Sequence, residues 1–346
     1  MNRILSSGFG VAAVALVAAL AAPAQGLELQ VETLAVPGPV ETLELVNEGP
    51  RLMIGAGGKW HSLGLAAGGA TLTARPEYRG PGGGVLPQDG LPHSRVALGA
   101  RDIAAAWLAQ PTDRYPHGVL GDRLEGARLR VRARDGRSAE IILPDEAVFE
   151  DLTPRLVDLD GQGHDSILVV RSTRTGGAAL VAYRLGALGL EERAATPPIG
   201  APNRWLNPVG VADLDGDGRP ELALVVTPHI GGVLKIYSWT DGRFVERASA
   251  PGFSNHDIGS TQLALHALGD FDGDGIVELA LRGQDRRTVE VMSFAGGRLV
   301  RLGTIRHEAA VVGPMAASDL DGDGRAELVY GLADGRLAVV RTPGPR

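Results

Sequence analysis

The chain contains no cysteine among its 346 residues. This absence excludes disulfide bonds, thiol catalysis and a lipid-modified N-terminal cysteine. Aromatic residues make up only 4% of the sequence, the net charge is −7, and no basic cluster stands out. The sequence therefore gives no sign of a nucleic-acid partner, which would require basic patches or stacking surfaces. After residue 24 no apolar run approaches the roughly 20 residues of a membrane span, so we expect no span there.

The N-terminus has the pattern of a secretory leader. Met1-Asn2-Arg3 precedes an apolar run over residues 11–22, and Ala22-Pro23-Ala24 supplies the small-x-small pattern of a signal-peptidase site. We predict a signal peptide at residues 1–24 and a single domain over residues 27–346, periplasmic or secreted. A signal anchor is the alternative.

Four nine-residue stretches in the second half of the chain are almost copies of one another. They begin at Asp158, Asp213, Asp270 and Asp319, which are 55, 57 and 49 residues apart. Such spacing is typical of an internal repeat. In the last three stretches acidic residues occupy positions one, three, five and nine, and glycine occupies position six.

This pattern predicts calcium loops. Ca²⁺ takes about six to eight oxygens in a flexible shell, and alternating carboxylates around a tight turn supply them. Glycine at position six permits the sharp turn, and the carbonyl of position seven can then face the ion. The predicted ligands are Asp213, Asp215, Asp217, Arg219 and Glu221; Asp270, Asp272, Asp274, Ile276 and Glu278; and Asp319, Asp321, Asp323, Arg325 and Glu327.

The first stretch departs from the pattern. Gln162 and Ser166 stand where carboxylates are expected. Metal binding by Asp158 and Asp160 is therefore left open, and for every loop the alternative is a polar turn without metal.

EF-hands share the opening D-x-D-x-D-G, but they require a glutamate at position twelve and a following helix. Position twelve is Leu224, Leu281 and Tyr330, and apolar, β-prone residues follow each loop. We therefore expect these loops to join two strands.

Over residues 151–346 the loop motif and its strand context resemble FG-GAP or VCBS-type repeats, the blades of the integrin α-subunit β-propeller. The resemblance implies a calcium-binding propeller of seven blades. The literal Phe-Gly/Gly-Ala-Pro signature of these repeats is absent, and residues 117–122, His-Gly-Val-Leu-Gly-Asp, are similar to the corresponding strand.

Short β-prone segments between glycine-rich turns predict an all-β fold. Residues 103–109, Ile-Ala-Ala-Ala-Trp-Leu-Ala, could be helical by composition, but similar small residues precede the acidic loops, so we assign a strand. About 320 residues at roughly 54 per repeat give six four-stranded blades. The last repeat ends one strand short, and we predict that residues 27–35 supply this strand and close a β-propeller without bare edges.

A second set of polar residues falls on loops expected at the face opposite the acidic loops. An aromatic side chain with polar neighbours suits a glycan or another polar small molecule, and a protein partner is also possible. The alternative is that Trp205 fills a gap between blades and the others satisfy backbone groups. The predicted ligand-binding residues are Arg204, Trp205, Asn207, His229, His256, Asp257 and His307.

The sequence shows no nucleophile elbow, no cofactor motif and no paired carboxylates outside the acidic loops. We therefore expect a binding or interaction module. The alternative is a periplasmic hydrolase or lyase that uses His256 or His229 as a base near Arg204. Zinc binding by histidines is disfavoured because no short H-x-n-H spacing occurs.

Overall fold

The computed structural model describes residues 26–46, 51–66, 68–80 and 84–343. The predicted signal peptide at residues 1–24 lies outside them. Within these ranges the chain forms β-strands and one short 3-10 helix, Ala295–Gly297. No helix in the described part is both long and apolar enough to pass through a bilayer.

The strands are numbered in chain order. They are β1 (Gln30–Ala35), β2 (Val40–Val46), β3 (Arg51–Ala56), β4 (Lys59–Ala66), β5 (Gly69–Ala74), β6 (Ala97–Leu98), β7 (Ile103–Thr112), β8 (Glu125–Ala133), β9 (Ser138–Ile142), β10 (Ala147–Phe149), β11 (Arg155–Val157), β12 (Ser166–Thr173), β13 (Gly177–Leu185), β14 (Leu190–Ala195), β15 (Leu206–Ala212), β16 (Glu221–Val226), β17 (Val233–Thr240), β18 (Arg243–Pro251), β19 (His266–Gly269), β20 (Glu278–Arg282), β21 (Thr288–Ser293), β22 (Val300–Arg306), β23 (Val311–Ser318), β24 (Glu327–Leu332) and β25 (Arg336–Arg341).

Four of the antiparallel sheets have four strands each. Their strand orders are β2-β3-β4-β5, β15-β16-β17-β18, β19-β20-β21-β22 and β1-β25-β24-β23. The three complete acidic loops lie between β15 and β16, between β19 and β20 and between β23 and β24, and each joins two paired strands, as the sequence predicts. The all-β prediction is confirmed.

The apolar runs after the acidic loops are buried on both faces, because the sheet to which each run belongs packs between two other sheets. In β16, Leu222 and Leu224 pack into the core shared with β12 and β13, while Ala223 and Val225 pack into the core shared with β20. Successive side chains of a strand point to opposite faces, so one short run contributes to two cores. Similar cores join β20 to β24 and β24 to β3.

The N-terminal strand completes the last sheet. β1 pairs antiparallel with β25, from Gln30 opposite Arg341 to Ala35 opposite Arg336. Without β1 this edge of β25 would leave unpaired backbone groups. The predicted pairing of residues 27–35 with the end of the chain is therefore present.

Between residues 97 and 195 the structure differs from a series of separate blades. Strands β6 to β14 form one nine-stranded sheet. The three-residue strand β11 covers only one end of β12. β10 occupies the other end, and its Phe149 pairs with both Arg171 of β12 and Gly126 of β8. The described strands thus form five sheets, and neither six nor seven blades can be counted.

The segment at 103–109 lies within β7 and is a strand, as assigned from the sequence. β8 and β9 form a hairpin around Asp135 and Gly136, with Arg132 opposite Ser138. The composition of this segment alone did not distinguish a helix from a strand. Pairing with β8 makes it a strand, because small alanine side chains fit where neighbouring residues pack closely against it.

Candidate cation loops and a histidine pocket

The three complete acidic loops share one hydrogen-bond pattern. In the first of them, Oδ1 of Asp213 accepts from the backbone N–H of Gly216 at 2.8 Å and Oδ2 accepts from that of Gly218 at 2.9 Å. Asp215 and Asp217 each accept from the N–H two residues further on. The other two loops repeat all four bonds. The backbone therefore holds the carboxylates in one arrangement in all three loops.

The glutamate at position nine closes each loop from inside. Glu221, Glu278 and Glu327 are buried, and each accepts a hydrogen bond from the N–H of position two. Burial raises the pKa of Glu221 to about 7, of Glu278 to about 8 and of Glu327 to about 7, and the nearby aspartates add to the rise. Oε1 of Glu278 is enclosed and has no hydrogen-bond partner among the described residues.

Carboxylate oxygens of positions one, three and nine lie within 4.8 Å of one another in each loop. The position-five aspartates lie outside these triads. They accept instead from the N–H of Arg219, Ile276 and Arg325. The triads are Asp213–Asp215–Glu221, Asp270–Asp272–Glu278 and Asp319–Asp321–Glu327.

In the incomplete loop, arginine side chains lie close to the two aspartates. Nε of Arg101 lies 3.8 Å from Asp158, and Nη1 of Arg184 lies 3.2 Å from Asp160. Arg101 also pairs with the buried Asp165 at 3.1 Å. Arginine side chains of the chain itself thus supply positive charge in this loop.

The three complete loops lie side by side. A Cβ atom built on Gly216 would lie 2.9 Å from Cδ1 of Ile276, which is position seven of the next loop. Arg325, position seven of the last loop, donates from Nε to the carbonyl oxygen of Asp272 at 3.0 Å. Residues at position seven therefore connect each loop to the one before it.

A small pocket of about 80 Å³ gathers part of the second residue set. Two of the residues that line it have left-handed backbone: Asn203 has φ 52° and Thr227 has φ 48°. A β-branched residue in that region is strained, and such strain is often found at functional sites. The residues lining the pocket are His117, Asn203, Arg204, Trp205, Thr227, His229, Ile230 and Ile258.

Trp205 is not an exposed platform. It is only 2% exposed, and its Nε1 donates to the carbonyl oxygen of Glu150 at 2.9 Å. Its ring is parallel to His229 within 6° at a centroid distance of 6.1 Å, and it contacts His256 at 4.7 Å. Trp205 therefore supports the two histidines from the protein interior, as in the structural alternative considered above.

His229 and His256 form a chain of hydrogen bonds. Nε2 of His229 lies 2.8 Å from Nδ1 of His256, and Nε2 of His256 lies 2.9 Å from the carbonyl oxygen of Ser260. Burial lowers the pKa of both rings to about 4, so both are neutral at pH 7. Because a carbonyl only accepts, His256 carries its proton on Nε2, and His229 must then donate from Nε2. Nδ1 of His229 is left as an acceptor.

The other predicted ligand-binding residues are placed elsewhere. Asp257 forms a bidentate pair with the fully buried Arg282 at 2.8 and 2.9 Å. Asn207 is fully buried and donates to two backbone carbonyls. His307 lies 2.7 Å from the hydroxyl of Tyr330. Of the seven, Arg204, Trp205 and His229 line the pocket, with His256 directly behind.

Sequence reasoning missed a buried acidic centre beside the pocket. Nδ1 of His117 lies 2.5 Å from Oε1 of Glu150, and the hydroxyl of Ser172 donates to the other oxygen of this carboxylate. Glu150 is fully buried, which raises its pKa, and the hydrogen bonds from His117 and Ser172 oppose that rise. A charged residue at the end of the apolar segment Ala147–Phe149 was the signal that could have revealed it.

Two adjoining cavities of about 430 and 400 Å³ lie where the sheets approach one another. They share Thr153, Leu263 and Ala264. The first is also lined by Val40 at the start of β2 and by Arg95 just before β6. Both ends of the series of sheets therefore border the same cavity.

Comparisons with known proteins now bear on the predicted family. No family model and no curated protein matches the chain. It is similar in structure to the rhamnogalacturonan lyase YesW (16% identity, TM-score 0.40, covering 86% of this chain and 59% of that one). It is likewise similar to a rhamnogalacturonan lyase of Bacillus licheniformis (16% identity, TM-score 0.39, covering 85% and 59%). The chain spans about three fifths of the length of these lyases.

The FG-GAP assignment is wrong. The matched structures are lyases and not integrin-type propellers, and no FG-GAP or VCBS model matches. The nine-residue motif determines only a local acidic loop between two strands, and the nine-stranded sheet does not follow the blade pattern of those repeats. The similarity to the lyases is too low to transfer their activity.

Proposed function

We propose that the three complete acidic loops bind Ca²⁺. The observation that carries this proposal is the repeated triad of carboxylates whose oxygens lie within 4.8 Å. Oxygens bound to one calcium ion at about 2.3–2.6 Å are at most about 5 Å apart. Without a cation, each triad gathers like charges around a buried glutamate, which is unfavourable. The position-five carboxylate, the position-seven carbonyl and water would complete the shell.

Calorimetric titration of chelator-treated protein tests this proposal. We expect a stoichiometry of three and an increase in melting temperature, because a ligand at about 100 times its Kd stabilises the fold by about 2.7 kcal/mol per site. Mg²⁺ is the matched control, since it prefers a smaller octahedral shell. Absence of calcium heat together with an unchanged melting temperature in EDTA would disprove calcium binding.

We also propose that the protein is exported and that its sheets close into a β-propeller-like ring around the two adjoining cavities. Cores join the sheets in series, and both ends of the series border the same cavity. A crystal structure of protein purified from the periplasm tests both points. An open arc of sheets, or an intact residue 1 in that material, would contradict the corresponding part.

A second candidate function is catalysis on a polar substrate at the histidine pocket, favoured by the free acceptor nitrogen of neutral His229. The alternative is a pocket that binds a glycan or another polar ligand without turnover. His256 has both ring nitrogens occupied, so we assign the base role to His229. Incubation with a panel of polysaccharides distinguishes turnover from saturable binding. If neither is observed, both the catalytic and the binding proposal for this pocket are disproved.

A further inference from the structure

The pocket contains a second imidazole with the same kind of support as the first. His117 and His229 both line it. His229 is held from behind by His256, and His117 is held from behind by Glu150 at 2.5 Å. Each ring thus has one nitrogen bound to a buried partner. The remaining nitrogens, Nε2 of His117 and Nδ1 of His229, have no hydrogen-bond partner among the described residues.

The two free nitrogens carry opposite proton states. His229 is neutral and protonated on Nε2, so its Nδ1 accepts. The pair of Glu150 and His117 is buried, and a net negative charge there would be costly. Two protons make the pair neutral overall, with one between Oε1 and Nδ1 and the other on Nε2 of His117. The pocket therefore presents one acceptor and one donor.

The entrance of the pocket has an unusual surface. Ile230 and Ile258 are 62% and 64% exposed, and both line the pocket. Isolated exposed apolar residues are common, and here two of them flank the same opening. Arg204 is exposed on the same rim, and its guanidinium donates to the carbonyl of its neighbour Asn203. A partner with apolar faces and negative charge fits this entrance.

We propose that His117 and His229 form a proton-transfer pair that hydrolyses a glycosidic bond of a carboxylate-bearing polysaccharide. A volume of about 80 Å³ holds only a few water-sized groups, so a water molecule and the glycosidic oxygen enter while the sugar rings stay on the rim. Nδ1 of His229 takes a proton from the water, whose oxygen bonds to the anomeric carbon as the glycosidic C–O bond breaks, and Nε2 of His117 gives its proton to the departing oxygen. Glu150 and His256 are positioning residues. The inference rests on the catalytic candidate proposed above.

Two substitutions remove only the pocket-facing nitrogens. His117→Asn keeps an amide donor near Glu150 but lacks Nε2. His229→Gln keeps a donor near His256 but lacks Nδ1. His164→Asn is the control, because His164 is 51% exposed in the incomplete acidic loop. Turnover is measured on polygalacturonate, alginate and hyaluronan, with dextran as the uncharged polymer, by new reducing ends.

We expect the wild-type protein to cleave an acidic polymer in preference to dextran. Each pocket variant should lose about 10²–10⁴-fold in kcat, and the double variant should lose little more because the two groups act as a unit. The control should keep the wild-type rate. Melting temperatures of all variants show whether loss of turnover comes from unfolding.

Three results would overturn the proposal. If His117→Asn keeps full activity while His229→Gln loses it, the proton-transfer pair is disproved but catalysis by His229 is retained. If the wild-type protein turns over none of the polymers, both the proton-transfer pair and catalysis at the histidine pocket are disproved. Nitrogen-15 NMR of the histidine rings tests the pair without a substrate: a protonated Nδ1 in His229 or an unprotonated Nε2 in His117 at pH 7 contradicts the assigned roles even if a variant fails to fold.

Discussion

Nε2 of His229 lies 2.8 Å from Nδ1 of His256, in contact with the indole ring of Trp205. Burial disfavours the charged form of both imidazoles and lowers the pKa of each to about 4, so both are neutral at pH 7. Burial also lowers the pKa of a third ring, His266, to about 3. The three rings together make the fold sensitive to acid.

The first prediction concerns pH. In the unfolded chain these imidazoles have a pKa of about 6.5, and the folded values are lower. At these rings the unfolded state therefore binds more protons, so their contribution to stability is fully present above about pH 6.5 and is lost as the pH drops towards 4. Urea unfolding at several pH values measures this loss. His229→Gln should flatten the dependence, and an unchanged slope in this variant would contradict the assigned role of the ring.

The second prediction compares equivalent aspartates of a complete and an incomplete acidic loop. The pKa of Asp272 is raised by burial and by the neighbouring carboxylates, so its charge is unfavourable without a cation. Asp272→Asn should raise the melting temperature in EDTA and lower the number of calcium ions bound from three to two. Asp160 is paired with Arg184, and Asp160→Asn should leave calcium binding unchanged. Equal effects of the two changes would contradict the distinction between the loops.

The third prediction concerns the buried guanidinium of Arg282. Its bidentate partner is Asp257. Asp257→Ala leaves a buried cation without that partner, which should cost about 3–5 kcal/mol of unfolding free energy. The exposed pair Asp334–Arg336 is the comparison, and Asp334→Ala should change the unfolding free energy far less, because water screens an exposed ion pair. Chemical denaturation measures both, and a cost below about 1 kcal/mol for Asp257→Ala would show that Arg282 is solvated.

The fourth prediction uses two neighbouring glycines after the pocket. A Cβ on Gly232 would lie 1.6 Å from the carbonyl oxygen of Phe253, whereas Gly231, with φ 76°, has open space around that position. Gly231→Ala should cost about 1–2 kcal/mol through backbone strain alone. Gly232→Ala must displace backbone and should cost about 1–3 kcal/mol more. Thermal unfolding of the two variants checks the difference, and equal losses would mean that the Phe253 segment yields easily.

The parts of the molecule that sequence predicts well are those decided by close neighbours. The acidic loops depend on hydrogen bonds across at most seven residues, and the strands that follow them are apolar runs. The pairing of residues 30–35 with the last strand could be predicted because the last repeat is one strand shorter than the others. In contrast, β10 pairs with both β8 and β12 through Phe149, and no pattern within three residues specifies two partner strands.

The same dependence on residues far apart in the sequence explains why the candidate site was only partly predicted. His117 and Glu150 are 33 residues apart and meet because β10 lies beside β8. Trp205 looked like a platform for a ligand because burial by another sheet is not visible in the sequence. Asn207, Asp257 and His307 are polar residues in loops, but their partners are distant main-chain or side-chain groups. The family assignment failed because it relied on one short motif.

The pairing of β1 with β25 sets an order of events during folding. β1 leaves the ribosome before β25 has been synthesised, so its edge must stay free of other strands in the meantime. The last sheet becomes complete only when the final residues arrive. Until β25 pairs with it, the edge of β1 can pair with the equivalent strand of another chain, so exchange of this strand between two chains is the misassembly that this closure invites.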